Sequence, residues 1–320
     1  MGRNHNRGMS SSTSASAPEG RVRLDHWGVI RVQGADAASF LNGQLTQDML
    51  HLAPSQARLA GYCSPKGRLL ASFVAWHADA DTLLLACSAD LLAPTLKRLS
   101  MFVLRAKARL ADASAELPLH GLAGTAALHA LGEQAPAGIW QVGRVGTAQV
   151  VRLPDADGVP RYLWCAPPDA VLPELAPLSP AAWDWLEVRS AVPRIGAATV
   201  EQFVPQMVNL EALDGVNFRK GCYPGQEVVA RSQYRGTLKR RSFLFSAAAP
   251  AHPGQEVFHS ADAAQPAGMV VNAASLDGRH AALVELKLGA LDGGSLHLGA
   301  ADGARLEREE LPYALPLEAA

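Results

Sequence analysis

The chain has 320 residues, of which 48% are apolar and 18% charged, and its formal net charge is −1. That is long enough for two or three domains with a substantial core, too apolar for a disordered polymer, and too neutral to make DNA or RNA an expected general partner. No apolar run reaches the ~18 residues of a membrane-spanning helix, so no membrane association is expected.

Residues 1–20 are rich in Ser, Asn, Gly and Arg, lack the apolar centre of a secretory leader, and read as a disordered tail. Alternation over 22–32, a stretch that carries Trp27, predicts a strand. Gly34-Ala35-Asp36 then opens a helix with Asp36 as N-cap and Gly43 as terminator. A hairpin is expected from 69–76 and 82–87 across a turn at 77–81, followed by a helix over 91–102 and a strand over 103–110. Residues 111–178 are rich in Ala, Gly and Pro, with strands near 149–153 and 162–165. Ser179-Pro180 joins a cap to a first-turn proline and starts a helix that ends before Pro193. On that helix Trp183 and Glu187 share one face, and Trp185 and Val188 another. From 242 onward, short alternating runs at 242–246, 255–259, 268–272, 281–288, 295–298 and 304–308 are separated by Gly- and Pro-rich turns, which predicts a small β-barrel.

Cys63, Cys87, Cys165 and Cys222 show no short spacing. That excludes a C-x-x-C redox pair and the usual zinc patterns, weighs against a resident iron–sulfur cluster, and leaves no metal site expected. So few cysteines in so long a chain point to a reducing compartment, here the cytoplasm. Cys222 stands apart because of its surroundings, Arg219-Lys220-Gly221-Cys222-Tyr223-Pro224-Gly225-Gln226-Glu227. Gly221 and Gly225 allow close backbone approach, and Pro224 suits a helix start. A short helix is expected from 226 to 231, with Glu227 in its first turn and Arg231 later. An ordinary thiol is only about 3% ionised at neutral pH. Helix-end amides together with Arg219 and Lys220 would raise that fraction. Two readings of Cys222 stand, a reactive thiol or a small filler in a glycine turn. The 219–241 window carries seven basic residues and one acid, which is +6 against −7 for the rest of the chain. It reads either as a surface for an anionic ligand or as a solvated face.

The octet Lys-Gly-Cys-Tyr-x-Gly-Gln-Glu resembles the signature of YgfZ-type folate-binding proteins. The likeness extends to Gln202-Phe203-Val204-Pro205-Gln206 with Asn209-Leu210, to Gly34-Ala35-Asp36 with Gly43-Gln44-Leu45-Thr46-Gln47-Asp48, to Cys63-Ser64-Pro65-Lys66-Gly67 and to Leu311-Pro312-Tyr313. It spans about residues 21–315. The resemblance implies an α+β, aminomethyltransferase-like multidomain folate-binding fold with a C-terminal small β-barrel. The boundaries it implies are a tail at 1–20, two α+β lobes over 21–240 and the barrel over 241–320. It implies tetrahydrofolate or a one-carbon derivative as cofactor, with Trp27 and Trp183 in contact with it; ordinary core packing is the alternative for each indole. Cys222 would be the functional thiol, held by Gly221, Tyr223 and Gly225. Arg219 and Lys220 would support the thiolate or an anionic partner, and Gln226 and Glu227 would fix the loop and helix start. The implied role is support of iron–sulfur enzymes, and through them of tRNA modification. Its partners would be iron–sulfur client or assembly proteins, with tRNA reached indirectly at most.

One departure bears on catalysis. Aminomethyltransferases carry an activating aspartate in the hairpin that follows their Gly-Gly turn, and this chain has Ala71-Ser72 there. Serine cannot supply that charge near neutral pH, which weighs against aminomethyl transfer. Two alternatives to the folate-binding support role are a folate-dependent one-carbon transferase and a module that grips tRNA directly through the 219–241 window.

Overall fold

The computed structural model describes residues 17–234 and 238–316. Two five-stranded sheets and a closed six-stranded barrel surround a shared core. In the first sheet, β2 (Trp27–Gln33), β3 (Ala57–Cys63), β4 (Leu69–Asp79), β5 (Thr82–Ser88) and β6 (Arg109–Asp112) lie in the order β3-β4-β5-β2-β6. The second contains β1 (Gly20–Arg23), β7 (Leu119–Ala123), β8 (Val142–Val145), β9 (Ala148–Ala156) and β10 (Val159–Cys165) in the order β1-β7-β10-β9-β8. The barrel is built from β11 (Arg240–Ala247), β12 (Glu256–His259), β13 (Gly268–Leu276), β14 (Arg279–Lys287), β15 (Leu296–Leu298) and β16 (Ala304–Glu309). Its strands fall where the alternating runs predict them.

The single strand expected over 22–32 is two. Leu24 donates its N–H to Leu119 O at 2.9 Å, and Trp27 closes a turn onto Leu24 O at 3.1 Å. The chain therefore leaves the second sheet at Arg23 and enters the first at Trp27. Of the strand expected over 103–110, only its last residues join β6. Lys107 is held instead by Asp36, whose N–H donates to Lys107 O and whose carboxylate accepts the Lys107 N–H at 2.7 Å. Asp36 thus sits at the N-cap position of α1 (Ala37–Asn42) without capping it, because its side chain is engaged elsewhere. The helix expected over 91–102 is α2 (Ala89–Ser100), and it absorbs Pro94 in its interior; the short α3 (Thr125–Leu131) follows β7. Most of the tail expected at 1–20 lies outside the described residues, but Glu19 and Gly20 belong to the fold: Glu19 accepts from Ala126 N at 2.9 Å and Gly20 opens β1.

The helix α4 (Pro180–Arg189) joins the three parts. Ser179 Oγ accepts the Ala182 N–H at 3.1 Å, as the cap-plus-proline pattern predicts. One face packs Trp185 and Val188 against Leu244 and Ala281 of the barrel. The opposite face buries Trp183 in the central core. The barrel is further pinned by the Asn209 amide, which donates to Ser242 O at 2.7 Å, and by Tyr313, whose hydroxyl donates to Ala191 O at 2.9 Å.

Trp183 lies flat on Gly121 of β7, where a Cβ would come within 2.5 Å of the indole. Overfilling a packed site of this kind typically costs about 1–3 kcal/mol. Gly121→Ala is expected to lower stability by that amount in a urea melt and to shift tryptophan emission. A wild-type midpoint would show that the ring does not rest on this glycine.

Candidate functional site

A cavity of about 200 Å³ opens where the two sheets, α4 and the barrel meet. Trp27 enters its wall because the crossing between sheets ends at that residue. One carboxylate, that of Glu187 on α4, organises the wall. Its Oε1 accepts from Trp27 Nε1 at 2.6 Å and from Trp183 Nε1 at 2.8 Å. Its Oε2 meets Arg194 Nη2 and His26 Nε2, each at 3.3 Å. Arg194 also lies over the Trp27 ring, 5.5 Å from its centroid. The Arg194 backbone is clamped by the Asn272 side chain of β13 through two hydrogen bonds of 3.0 and 2.8 Å. Burial alone would raise the Glu187 pKa, but Arg194, His26 and the Trp27 N–H outweigh it and hold the group at about 2.

The two tryptophans expected to touch a ligand are thus joined through one carboxylate, but their positions differ. Trp27 is half-buried on the cavity wall, whereas Trp183 is 1% exposed and lies behind Glu187. Reasoning from the sequence did not single out His26, Arg161 or Arg194 as site residues, although all three line the cavity together with Ser72. Only the helical spacing of Trp183 and Glu187 carried a readable signal.

His26, Asp184 and Glu187 offer ligand atoms within 4.8 Å of one another. The cluster is a poor cation site, because both Glu187 oxygens already carry donors and the Arg194 guanidinium occupies the cationic position beside it. Asp184 is pushed up by burial and by the neighbouring Glu187 charge.

The cysteine loop is elsewhere. Cys222 is exposed and does not line the cavity. Tyr223 is buried beneath it, and Gly225 adopts φ +80 with its backbone against Ser64 O and Gly67. A side chain at Gly225 would collide with that turn. The helix α5 (Gln226–Tyr234) starts at the predicted residue and runs past the expected end at 231, and Glu227 pairs with Arg231 at 2.7 Å. Lys220 is turned inward, with its ammonium donating to Asn42 O and, at 2.8 Å, to Leu45 O. Burial pulls its pKa down to about 8, against the opposing charges of Asp48 and Cys222. The other three thiols are buried, and desolvation pushes each up to about 12.

The hairpin β3–β4 links the two places. Its turn at 64–67 touches Gly225, and Ser72, Phe73 and Val74 further along β4 line the cavity. Most of the basic window is consumed internally. Arg240 pairs with Glu285, Arg241 with buried Glu211 at 2.6 Å, and Arg231 with Glu227, while Lys220 is held by carbonyls. Arg235 lies outside the described residues. Only Arg219 and Lys239 have a side chain without such a partner among the described residues, so the surface is far less basic than its composition.

The chain aligns at 37% identity with the tRNA-modifying protein YgfZ of Edwardsiella ictaluri, over 258 residues and 72% of each chain. The YgfZ of Photobacterium profundum is 34% identical, over 72% of this chain and 71% of that one. The chain belongs to the YgfZ family. The Klebsiella pneumoniae YgfZ matches at 29% over 95% of this chain and 96% of its own. No protein-family model matches the chain. Among solved structures, the glycine cleavage system aminomethyltransferase T of Bartonella henselae superposes with a TM-score of 0.67. The superposition covers 93% of this chain and 87% of that one, at 16% identity. The fold is therefore that of the aminomethyltransferases, with the closed barrel at its C-terminal end. No helix among the described residues is long and apolar enough to cross a membrane.

A Glu187 held at about 2 against an ordinary value of 4.5 stabilises the fold fully above pH 4.5 and loses that contribution as pH falls toward 2. Glu187→Gln is expected to be less stable at neutral pH, by on the order of 3 kcal/mol. The gap should close progressively between pH 4.5 and 2 in urea titrations at stepped pH. A gap constant with pH would mean that the charge of Glu187 does not organise the wall.

Proposed function

We propose that the cavity binds tetrahydrofolate or a one-carbon derivative. On this reading the chain uses that site together with Cys222 to support iron–sulfur enzymes, and through them tRNA modification. The observation that carries the proposal is the Trp27 ring, fixed through its N–H to Glu187 on the wall of a largely apolar hollow. A reduced pteridine is flat and rich in hydrogen-bonding edges. Stacking on an indole adds ~0.5–1.5 kcal/mol beyond area burial. Trp183 acts from behind the wall, because its N–H shares the same Glu187 oxygen and so fixes where the carboxylate and Trp27 stand. Family membership and the aminomethyltransferase fold support this reading of the cavity.

Cys222 is the functional thiol in this reading. It is the one exposed cysteine, and the loop that presents it is held by buried Tyr223, by Gly225 and by the inward Lys220 ammonium. Its partners are the iron–sulfur client or assembly proteins, reached at the surface. Direct grip on tRNA by the 219–241 window is disfavoured by the internal pairing of its charges. Aminomethyl transfer is disfavoured because Ser72 presents a hydroxyl to the cavity, and that oxygen accepts the Ile195 N–H at 2.9 Å. Formation of methylene-tetrahydrofolate from an aminomethyl donor would restore the transferase reading.

Tetrahydrofolate should quench wild-type tryptophan fluorescence saturably. Trp27→Phe keeps an aromatic face but removes the N–H that Glu187 accepts, so it should lower the melting temperature and, titrated well below that melt, weaken binding about three- to tenfold. Wild-type affinity in that variant would remove the indole from the site. In cells lacking the family member, Cys222→Ser should fail to complement while the purified variant still binds folate, and full complementation would take the thiol out of the mechanism.

A further inference from the structure

We propose that Arg161 is the anchor for an anionic or strongly electronegative oxygen of the cavity's ligand. On β10, Tyr162 and Trp164 face an outer core with Leu122 and Val150, whereas Arg161 and Leu163 point inward. The Arg161 side chain therefore enters the central cavity from the sheet. The residue is 3% exposed. Its Nε donates to Pro154 O at 3.0 Å, and its guanidinium lies 5.5 Å from the Trp183 ring centroid. Neither Nη1 nor Nη2 makes a hydrogen bond, and no carboxylate pairs with the group, among the described residues. The two acids whose charge it feels are committed elsewhere, Asp155 to Arg152 and Glu187 to Arg194.

A buried cation normally has an ion-pair partner, because desolvation is otherwise uncompensated. Arg161 lacks one, and its two free N–H edges border the hollow. A planar guanidinium with two open donors matches a carboxylate or a carbonyl–amide edge. A reduced folate offers both chemistries, a ring oxygen on the pteridine and carboxylates on the glutamate tail. The inference rests on the folate reading of the cavity and adds the residue that selects for an oxygen acceptor there.

The test titrates wild type, Arg161→Met and Arg161→Gln with tetrahydrofolate, with 6-methyltetrahydropterin, which lacks the tail, and with p-aminobenzoylglutamate, which lacks the ring. Both variants should bind tetrahydrofolate at least tenfold more weakly. The unliganded Arg161→Met protein should melt at or above the wild-type temperature, since an unpaired buried charge has been removed. A purely structural arginine would give the reverse, a lowered melting temperature with affinity following it. If the loss extends to 6-methyltetrahydropterin, Arg161 holds the ring oxygen; if it extends to p-aminobenzoylglutamate, it holds the tail. Either result sustains the proposal. Wild-type affinity for all three probes in both variants overturns it while leaving the folate reading intact. A wild type that binds none of the probes overturns the folate reading, and this inference with it.

Discussion

A carboxylate removed from water needs donors, and Glu187 obtains them from three separate parts of the chain. Trp27 and His26 come from the start of β2, Trp183 from one turn earlier on α4, and Arg194 from the segment that leads toward the barrel. Taking an ion of this size out of water costs several kcal/mol when its partners are missing. Any displacement of α4 relative to β2, or of the 193–195 segment relative to either, leaves that charge exposed to the penalty. The ion network therefore does what apolar packing alone cannot. Hydrophobic contact would tolerate a small slide of α4, whereas two indole N–H groups sharing one oxygen tolerate very little. The cavity wall is rigid because the chemistry behind it is saturated.

The same network explains what Ser72 does in this fold. At the cavity face of β4, its oxygen accepts the Ile195 N–H and so fixes the residue next to Arg194. Ser72 is thereby a brace for Arg194, the Glu187 partner. Since β4 also runs from the turn that supports Gly225, one hairpin carries both the cavity wall and the seat of the cysteine loop. Cavity and thiol are separate, yet they share a stiff antiparallel ladder.

What was legible in the sequence was local chemistry. The cap at Ser179, the glycine turn before α5 and the six barrel strands are each decided by residues within a few positions of one another. The strand predicted over 22–32 divides because alternation looks the same in either sheet, and only the Leu24–Leu119 pairing decides where the first one ends. The basic window misled for a related reason. Composition counts charges, but Glu211 and Glu285, which neutralise two of them, lie 30 and 45 residues away along the chain. The Glu187 hub was visible only in part. Its helical neighbour Trp183 could be read from spacing, whereas Trp27 is 160 residues distant.

The charges around the cavity are unequal in one respect. Glu187 is met by four donors, as many as its carboxylate has lone pairs, whereas the two terminal nitrogens of Arg161, on the second sheet, have no acceptor among the described residues. A protein interior at rest would be expected to pair such groups with each other. Here Arg194 stands with Glu187 instead, and the Trp27 ring beneath it is held on the wall. The result is a hollow with a satisfied aromatic side and an unsatisfied cationic side. A ligand that is flat over part of its surface and carries oxygen acceptors at an edge fills both requirements at once, while a neutral aromatic molecule would meet only the first. Selectivity would then come from the cost of leaving Arg161 dry and unpaired, which penalises every occupant without an acceptor.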